Sequence, residues 1–547
     1  MLARTLLLPT ALLTTLALSA CGDPRPDWVD EPLDVTGPLA LSHGLYYLER
    51  SRGEVLAVDV LAESASDLVR RIDVGDGPKE ALVVPSTDPV SPPTALAIVT
   101  PKDRALHLLV EDATTGELSH RTLALEQAYD RLAFSHDGAY GVAWMGPAAE
   151  QVDFASQPGK IAVIRMAGAL AGEEGALVER SLNVEEAPTR VVFSRPLSMP
   201  DVSVDPLTLA AVVTAERIAL VDLDRPDLRA RTVFLDPGVH PLRMRFTDGV
   251  ASDASAEFLL FNADGDAGIS AFRILADPAY DPDELEPRLR LTYHQLLPDD
   301  RPADFEVFPD PSGTRQLVIS VGAGTNRATV MELQSTPVGT TVDLPGGVAN
   351  RILRTTTATG EELAVLYDDS GRGRHLQYLP IETAAADRPE VRSGEAFVAP
   401  VLEVQTVAQH PGMAFVFLRN TSQVELVDLE TTRSTPVRLR SRPVQMVWDR
   451  RGSELFLVAS DNREEGNLLV RIRLSGSELV SEALPLNSSP ASVHLLVAKG
   501  VAVVDHGRSH GMLTAVPIDS LERPSARVIE GVFVAGLLDA AGGRDDR

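Results

Sequence analysis

Few stretches of this 547-residue sequence set reactive side chains at a spacing that chemistry can use. Asn262-Ala263-Asp264-Gly265-Asp266-Ala267-Gly268 puts three oxygen side chains at alternate positions in a turn, which is how a loop wraps a calcium ion. An EF-hand loop needs Gly at its sixth position and Glu at its twelfth, where this chain has Ala267 and Arg273. The plainer reading is a hairpin turn between Leu259–Phe261 and Ile269–Phe272. His494, His506 and His510 fall close together, the last two four residues apart. On a helix that spacing would align their imidazoles, but Gly507 and Gly511 favour a loop, where solvated histidines are expected. Ser42-His43-Gly44 and Ser509-His510-Gly511 are neighbours in sequence only, not triads. Asp299-Asp300, Asp368-Asp369 and Glu464-Glu465 read as solvated turns, and Asp545-Asp546 as part of a tail. No nucleophile elbow, Walker loop or dinucleotide fingerprint appears in its required context. The sequence therefore assigns no catalytic, cofactor-binding or metal-ligating residue. No cofactor is expected, calcium being the only one the spacing raises.

Cys21 is the one reactive residue with a clear context, and it is the only cysteine in the chain. It cannot form an intramolecular disulfide. Met1-Leu2-Ala3-Arg4 supplies a short positive start, and an apolar stretch runs from Leu6 to Leu18. That stretch is short for a membrane span, which takes about 20 apolar residues, and fits the core of a cleavable signal. Leu18-Ser19-Ala20-Cys21 resembles the bacterial lipobox. The resemblance implies cleavage before Cys21, acylation of its thiol and of the new amine, and stable anchoring by several chains. Residues 1–20 are then a lipoprotein signal peptide, and 21–36 a lipidated terminus and tether. Gly22, standing where retention signals carry Asp, points to the outer membrane of the cell envelope.

Removal of residues 1–20 takes away Arg4 and no acid, so the formal charge of −28 becomes −29. Such a surface repels nucleic acid and anionic lipid head groups and favours cationic partners, divalent ions or plain solubility. Only four of the 50 basic residues are lysines: Lys79, Lys102, Lys160 and Lys499.

From residue 37 to 539, short apolar runs alternate with Gly, Pro, Asp and Asn. Val55–Val60, Ala95–Val99, Ile218–Leu223, Leu317–Val321 and Leu455–Val458 have strand length and strand composition. Ala167–Val178 is the best candidate for a helix, but Gly168, Gly172 and Gly175 argue for a loop. The runs recur as a four-strand unit. A proline precedes the first strand (Pro78, Pro188, Pro241, Pro302, Pro400, Pro443, Pro490), and a turn such as Asp310-Pro311-Ser312-Gly313 or Asp449-Arg450-Arg451-Gly452 follows it. A later apolar strand ends in Asp, as in Val58-Asp59, Val221-Asp222 and Val427-Asp428. Four short strands repeated every 43–60 residues are the signature of a β-propeller.

Val55-Leu56-Ala57-Val58-Asp59, Arg71-Ile72-Asp73-Val74-Gly75-Asp76-Gly77-Pro78 and Arg131-Leu132-Ala133-Phe134-Ser135-His136-Asp137-Gly138 resemble YVTN-type repeats. The resemblance is clearest over residues 50–145 and 400–460. First strands are expected near residues 80, 129, 190, 242, 303, 349, 402, 444, 491 and 532, ten units in all. Common propellers have four to eight blades. The fold expected is thus all-β: four-stranded antiparallel blades, seven or more of them, in a single ring or a tightly joined pair. A strand at Gly531–Leu538 is expected to join the N-terminal blade and close the circle, leaving 540–547 as a polar tail. The function expected is that of an anchored envelope module, binding a protein or small-molecule ligand at a propeller face. The alternative implied by the resemblance is a propeller enzyme, lactonase-like or similar to quinone-dependent dehydrogenases.

Overall fold

The computed structural model describes residues 35–533, apart from 89–90, 149–156, 183, 185, 198–206, 248–256, 282, 334–338, 385–388, 450, 462–465, 476–477, 508–510 and 522–524. Cys21, the tether before Val35, Glu464-Glu465, His510 and the tail lie outside the described residues.

The strands form ten antiparallel sheets of four, each built from one continuous stretch of chain. The blades run Val35–Asp73, Glu80–Ala124, Arg131–Ser181, Arg190–Phe234, Pro241–Leu296, Pro302–Asp343, Arg351–Ser393, Val401–Arg438, Arg442–Pro485 and Ser492–Ile529. They are numbered 1 to 10 below. First strands contact first strands of the next blade, which places them innermost, around the channel. Nine of the ten expected first strands start within two residues of the position read from the sequence.

The burial pattern follows from the layering. Second and third strands are covered on both faces by neighbouring blades, so Ala95–Thr100, Leu209–Val213 and Gln316–Gly322 are buried throughout. Fourth strands lie at the rim and alternate, as Leu118–Ala124 does. The apolar core is divided among ten clusters, each spanning one pair of adjacent blades. One cluster joins Tyr47, Leu56 and Val58 of blade 1 to Leu496, Val503 and Leu513 of blade 10. That contact makes the array a single closed ring.

The turn chemistry matches the repeats. Asp310 Oδ1 accepts the Thr314 and Arg315 amides at 2.8 and 2.9 Å, and Asp449 holds Ser453 and Glu454 in the same way. Gly138 lies at φ +66°, where a Cβ would sit 1.9 Å from the Pro85 carbonyl oxygen. The strand-ending aspartates cap the turn that follows: Asp428 Oδ1 accepts Glu430 N and Thr431 N. Three marker prolines begin register irregularities in their first strands, at Pro241/Arg243, Pro302/Asp304 and Pro443/Gln445. A residue without an N–H is tolerated on an edge strand at a bulge.

Two expectations are corrected. Blade 1 is complete from its own four strands, with Val35–Ala40 innermost, so among the described residues no late strand joins it. Val532 and Phe533 pack instead as a plug in the blade 10–blade 1 core, the Phe533 ring lying edge-on to Tyr47 at 4.6 Å. Met166–Ala171 does form a short helix, because its three alanines outweigh Gly168. Gly172 in the left-handed region ends it, and Leu177–Ser181 is the fourth strand of blade 3.

Candidate functional site

The calcium-like turn is a hairpin. Asn262 is buried, its Oδ1 accepting Arg243 N and its Nδ2 donating to the Pro302 carbonyl, each at 3.0 Å. Asp264 pairs with Arg301, while Asp266 Oδ1 accepts Gly268 N at 3.1 Å. The three side chains diverge. Among the described residues no group of three or more His, Cys, Asp or Glu is placed to hold a metal.

Of the three histidines, His494 and His506 are packed, not solvated, and His510 lies outside the described residues. His494 bonds Ser492 Oγ at 2.8 Å, and burial pushes its pKa down to about 4. His506 is buried between the Ser488 carbonyl and Thr514 Oγ1, at 3.1 and 2.8 Å. The acid pairs are tied down as well. Asp368 is buried and accepts Ser370 N, Ser370 Oγ and Gly373 N; Asp369 accepts Asn350 Nδ2 and Arg351 Nε. Asp299 accepts the Thr341 hydroxyl. These side chains close turns and join strands.

Ser42 and His43 do meet an acid, from a different blade. Ser42 Oγ lies 2.8 Å from His43 Nδ1 and donates to Glu111 Oε2 at 2.9 Å. Glu111 also accepts His43 N and the Tyr46 hydroxyl. Burial, then the Glu111 charge, pushes the Tyr46 phenol above its ordinary range. In a hydrolytic triad the imidazole stands between hydroxyl and carboxylate. Here the hydroxyl stands between the other two, and Ser42 is only 1% exposed. The cluster satisfies a buried carboxylate and ties blade 1 to blade 2.

The channel wall is a polar belt that the sequence reading did not single out. The ten first strands carry seven arginines against four acids, a net +3 in a chain of −28. Many of these groups bridge blades. Arg243 meets Asp304 at 3.0 Å and Arg245 meets Glu306 at 2.7 Å. Arg190 donates to the Pro241 and Leu242 carbonyls, and Glu80 accepts Leu132 N. Burial holds Asp304, Glu306 and Glu80 above the ordinary carboxylate range despite these partners. With Arg190, Arg243, Arg245 and Arg354 bonded to a neighbouring blade, this part of the belt is mortar between blades.

The open site lies at the rim, between blades 4 and 5. The fourth strand of blade 4, Arg231–Phe234, has four residues; that of blade 5, Leu289–Leu296, has eight. The shorter strand leaves part of the facing blade uncovered. The result is a cavity of about 830 Å³ floored by Phe261, Phe272, Leu291 and Tyr293 and flanked by Val233 and Leu235. Tyr293 is 56% exposed. Its ring meets Phe272 at 5.0 Å, and Phe272 stacks on Phe261 at 6.0 Å. Asp236, Asp264, Asp266 and Gln295 supply acceptors, with Arg231 the one cation in the lining. Phe234 borders the cavity, 73% exposed, with the Arg217 guanidinium over its ring at 5.2 Å. The two blades are pinned beside this opening by a buried pair, Arg288 to Asp222 at 2.6 and 2.9 Å. In sequence Tyr293 is an ordinary alternating strand residue, so no signal there marked it.

Comparison with known proteins assigns this chain to no family. No protein-family model matches the chain, and no curated protein matches it in sequence. Among solved structures it is similar to a dihydro-heme d1 dehydrogenase, NirN, at 13% identity and TM-score 0.38, over 87% of this chain and 84% of that one. It is similar to a eukaryotic initiation factor at 13% and 0.43, over 82% and 97%. It is also similar to Kluyveromyces lactis Hsv2 at 11% and 0.32, over 59% and 93%. At such values no site, ligand or activity is carried over to this chain, which stands as a ten-bladed β-propeller.

Proposed function

We propose that this protein is a lipid-anchored binding module of the bacterial cell envelope, whose ring holds a partner at the blade 4–blade 5 groove. The observation that carries the binding reading is Tyr293, more than half exposed on the aromatic floor of the rim cavity of about 830 Å³. Monomeric surfaces seldom leave contiguous apolar area uncovered without a use for it. The anchoring reading rests on Leu18-Ser19-Ala20-Cys21 and the apolar run before it. Val35 enters the ring beside the blade 10–blade 1 seam, four blades one way and six the other from the groove.

Two measurements test this. A photo-crosslinking amino acid at position 293 in cells is expected to give a discrete adduct, and the same residue at Leu402, an exposed position on blade 8, none. Equal labelling at both positions, or none at 293, would overturn the binding reading. Cys21→Ser is expected to move the protein from the detergent phase to the aqueous phase on Triton X-114 partition. An unchanged partition would overturn anchoring.

A further inference from the structure

We propose that the occupant of the groove is an extended, cationic segment of a partner protein, added as a fifth strand to blade 4. This rests on the binding reading above and gives it a chemistry. The strand Arg231–Phe234 pairs with Arg217–Asp222 on one side only among the described residues. Leu235 N bonds the Glu216 carbonyl at 2.8 Å, which fixes the phase of the ladder. The antiparallel alternation then turns the N–H and C=O groups of Thr232 and Phe234 outward. An unpaired edge is a template for another strand.

Every rim strand has an outer edge. This one, of four residues, fronts a large cavity facing the eight-residue strand that follows it on the rim. A strand laid there sends alternate side chains toward Phe272 and Tyr293. Aromatic faces attract guanidinium and ammonium groups, and within this same blade Arg217 already lies over an aromatic ring. Around the floor stand three carboxylates against one arginine, and Asp264 alone is neutralised, by Arg301. Asp236 and Asp266 face no cation among the described residues, although Asp266 also accepts from Gly268 N at 3.1 Å and Gln295 Nε2 at 3.4 Å. The charge of −28 favours the same partner at long range.

The test uses the full-length protein in detergent and three labelled hexapeptides, alternating Val with Arg, Gln or Glu. Fluorescence anisotropy near physiological salt reads binding. The Arg peptide is expected to bind at least tenfold tighter than the Gln peptide, and the Glu peptide not at all. Asp236→Asn with Asp266→Asn is expected to weaken the Arg peptide about tenfold. Glu117→Gln with Glu430→Gln, the same charge change on distant surfaces, is expected to have little effect. Methylating alternate peptide nitrogens should abolish binding if the backbone pairs with the edge. Equal loss in both double variants reduces the effect to net charge and overturns the proposal, as does tolerance of N-methylation. A Gln peptide that binds as well as the Arg peptide, and is lost in Tyr293→Ser, overturns the cationic chemistry but leaves the groove as a binding site. No peptide bound, together with no adduct from position 293, would end both.

Discussion

The blade 10–blade 1 seam and the blade 4–blade 5 junction face the same physical problem and solve it differently. At each, two sheets of separate origin in the chain press apolar faces together. At the seam the chain supplies a plug: Phe533 is 4% exposed against Tyr47, and Val532 is fully buried. At the other junction the rim strand stops at Phe234 and nothing among the described residues replaces it, so Tyr293 stays in solvent. One junction spends its aromatic surface on holding the ring together. The other keeps it available. The core clusters beneath are alike, so the difference arises in the outermost strand and not in the fold.

Exchanging the aromatic residues for alanine should separate the two regions most sharply. Phe533→Ala removes a buried ring, and truncations of this kind cost about 3–5 kcal/mol. The urea midpoint should fall markedly, with the largest changes in hydrogen exchange in blades 1 and 10. Unchanged stability would mean that the seam does not depend on its plug. Next comes Gly511→Ala. Gly511 lies at φ +69°, and a Cβ there would sit 2.7 Å from the Phe533 ring and 2.9 Å from its backbone nitrogen. A left-handed alanine costs about 1–2 kcal/mol before the clash is counted, and thermal unfolding should register the sum.

A smaller effect is expected from Asp505→Asn, close to Tyr47 at the seam. Burial raises the Asp505 carboxyl above its usual range, against one hydrogen bond from Gly507 N that lowers it. A folded-state pKa above the unfolded one means the stability contribution is complete below about 3.9 and is lost as pH rises through the folded value. The substitution should therefore raise the urea midpoint at pH 7 and leave it unchanged at pH 3. A midpoint lowered at pH 7 would contradict burial as the cause. The smallest change should come from Tyr293→Ala in the groove, within about 0.5 kcal/mol as for an exposed site. A large loss there would show that Tyr293 is structural and remove the contrast with Phe533.

Much of this architecture could be read from the residues alone. The prolines before first strands and the Asp-Gly turns act locally, through bonds spanning two to five residues, and so leave a periodic mark. That mark located nine of the ten innermost strands but missed Val35–Ala40 and left the number of blades at seven or more. What escaped was set by distance. Glu111 reaches Ser42 across 69 positions, and nothing near either residue announces the other. The closure was misjudged because blade 1 has its own innermost strand, Val35–Ala40, and Val532 and Phe533 are spent on side-chain packing, residues 534–538 of the expected strand lying outside the described residues. The groove arises where two neighbouring blades meet at the rim, between strands of four and eight residues, and alternation looks the same at either length. His506 was expected in water because glycines surround it, yet its ring spans the Ser488 carbonyl and Thr514 in the interior.

Because every sheet is made from one uninterrupted stretch, gaining or losing such a stretch leaves all the others whole. A single duplication in the gene adds a member to the circle and asks only two flanking faces to readjust. Circles with an exchanged strand at the join must keep both chain ends in step when they grow. Here the join is a pair of side chains in a socket, so lineages are free to widen the central hole by small genetic steps.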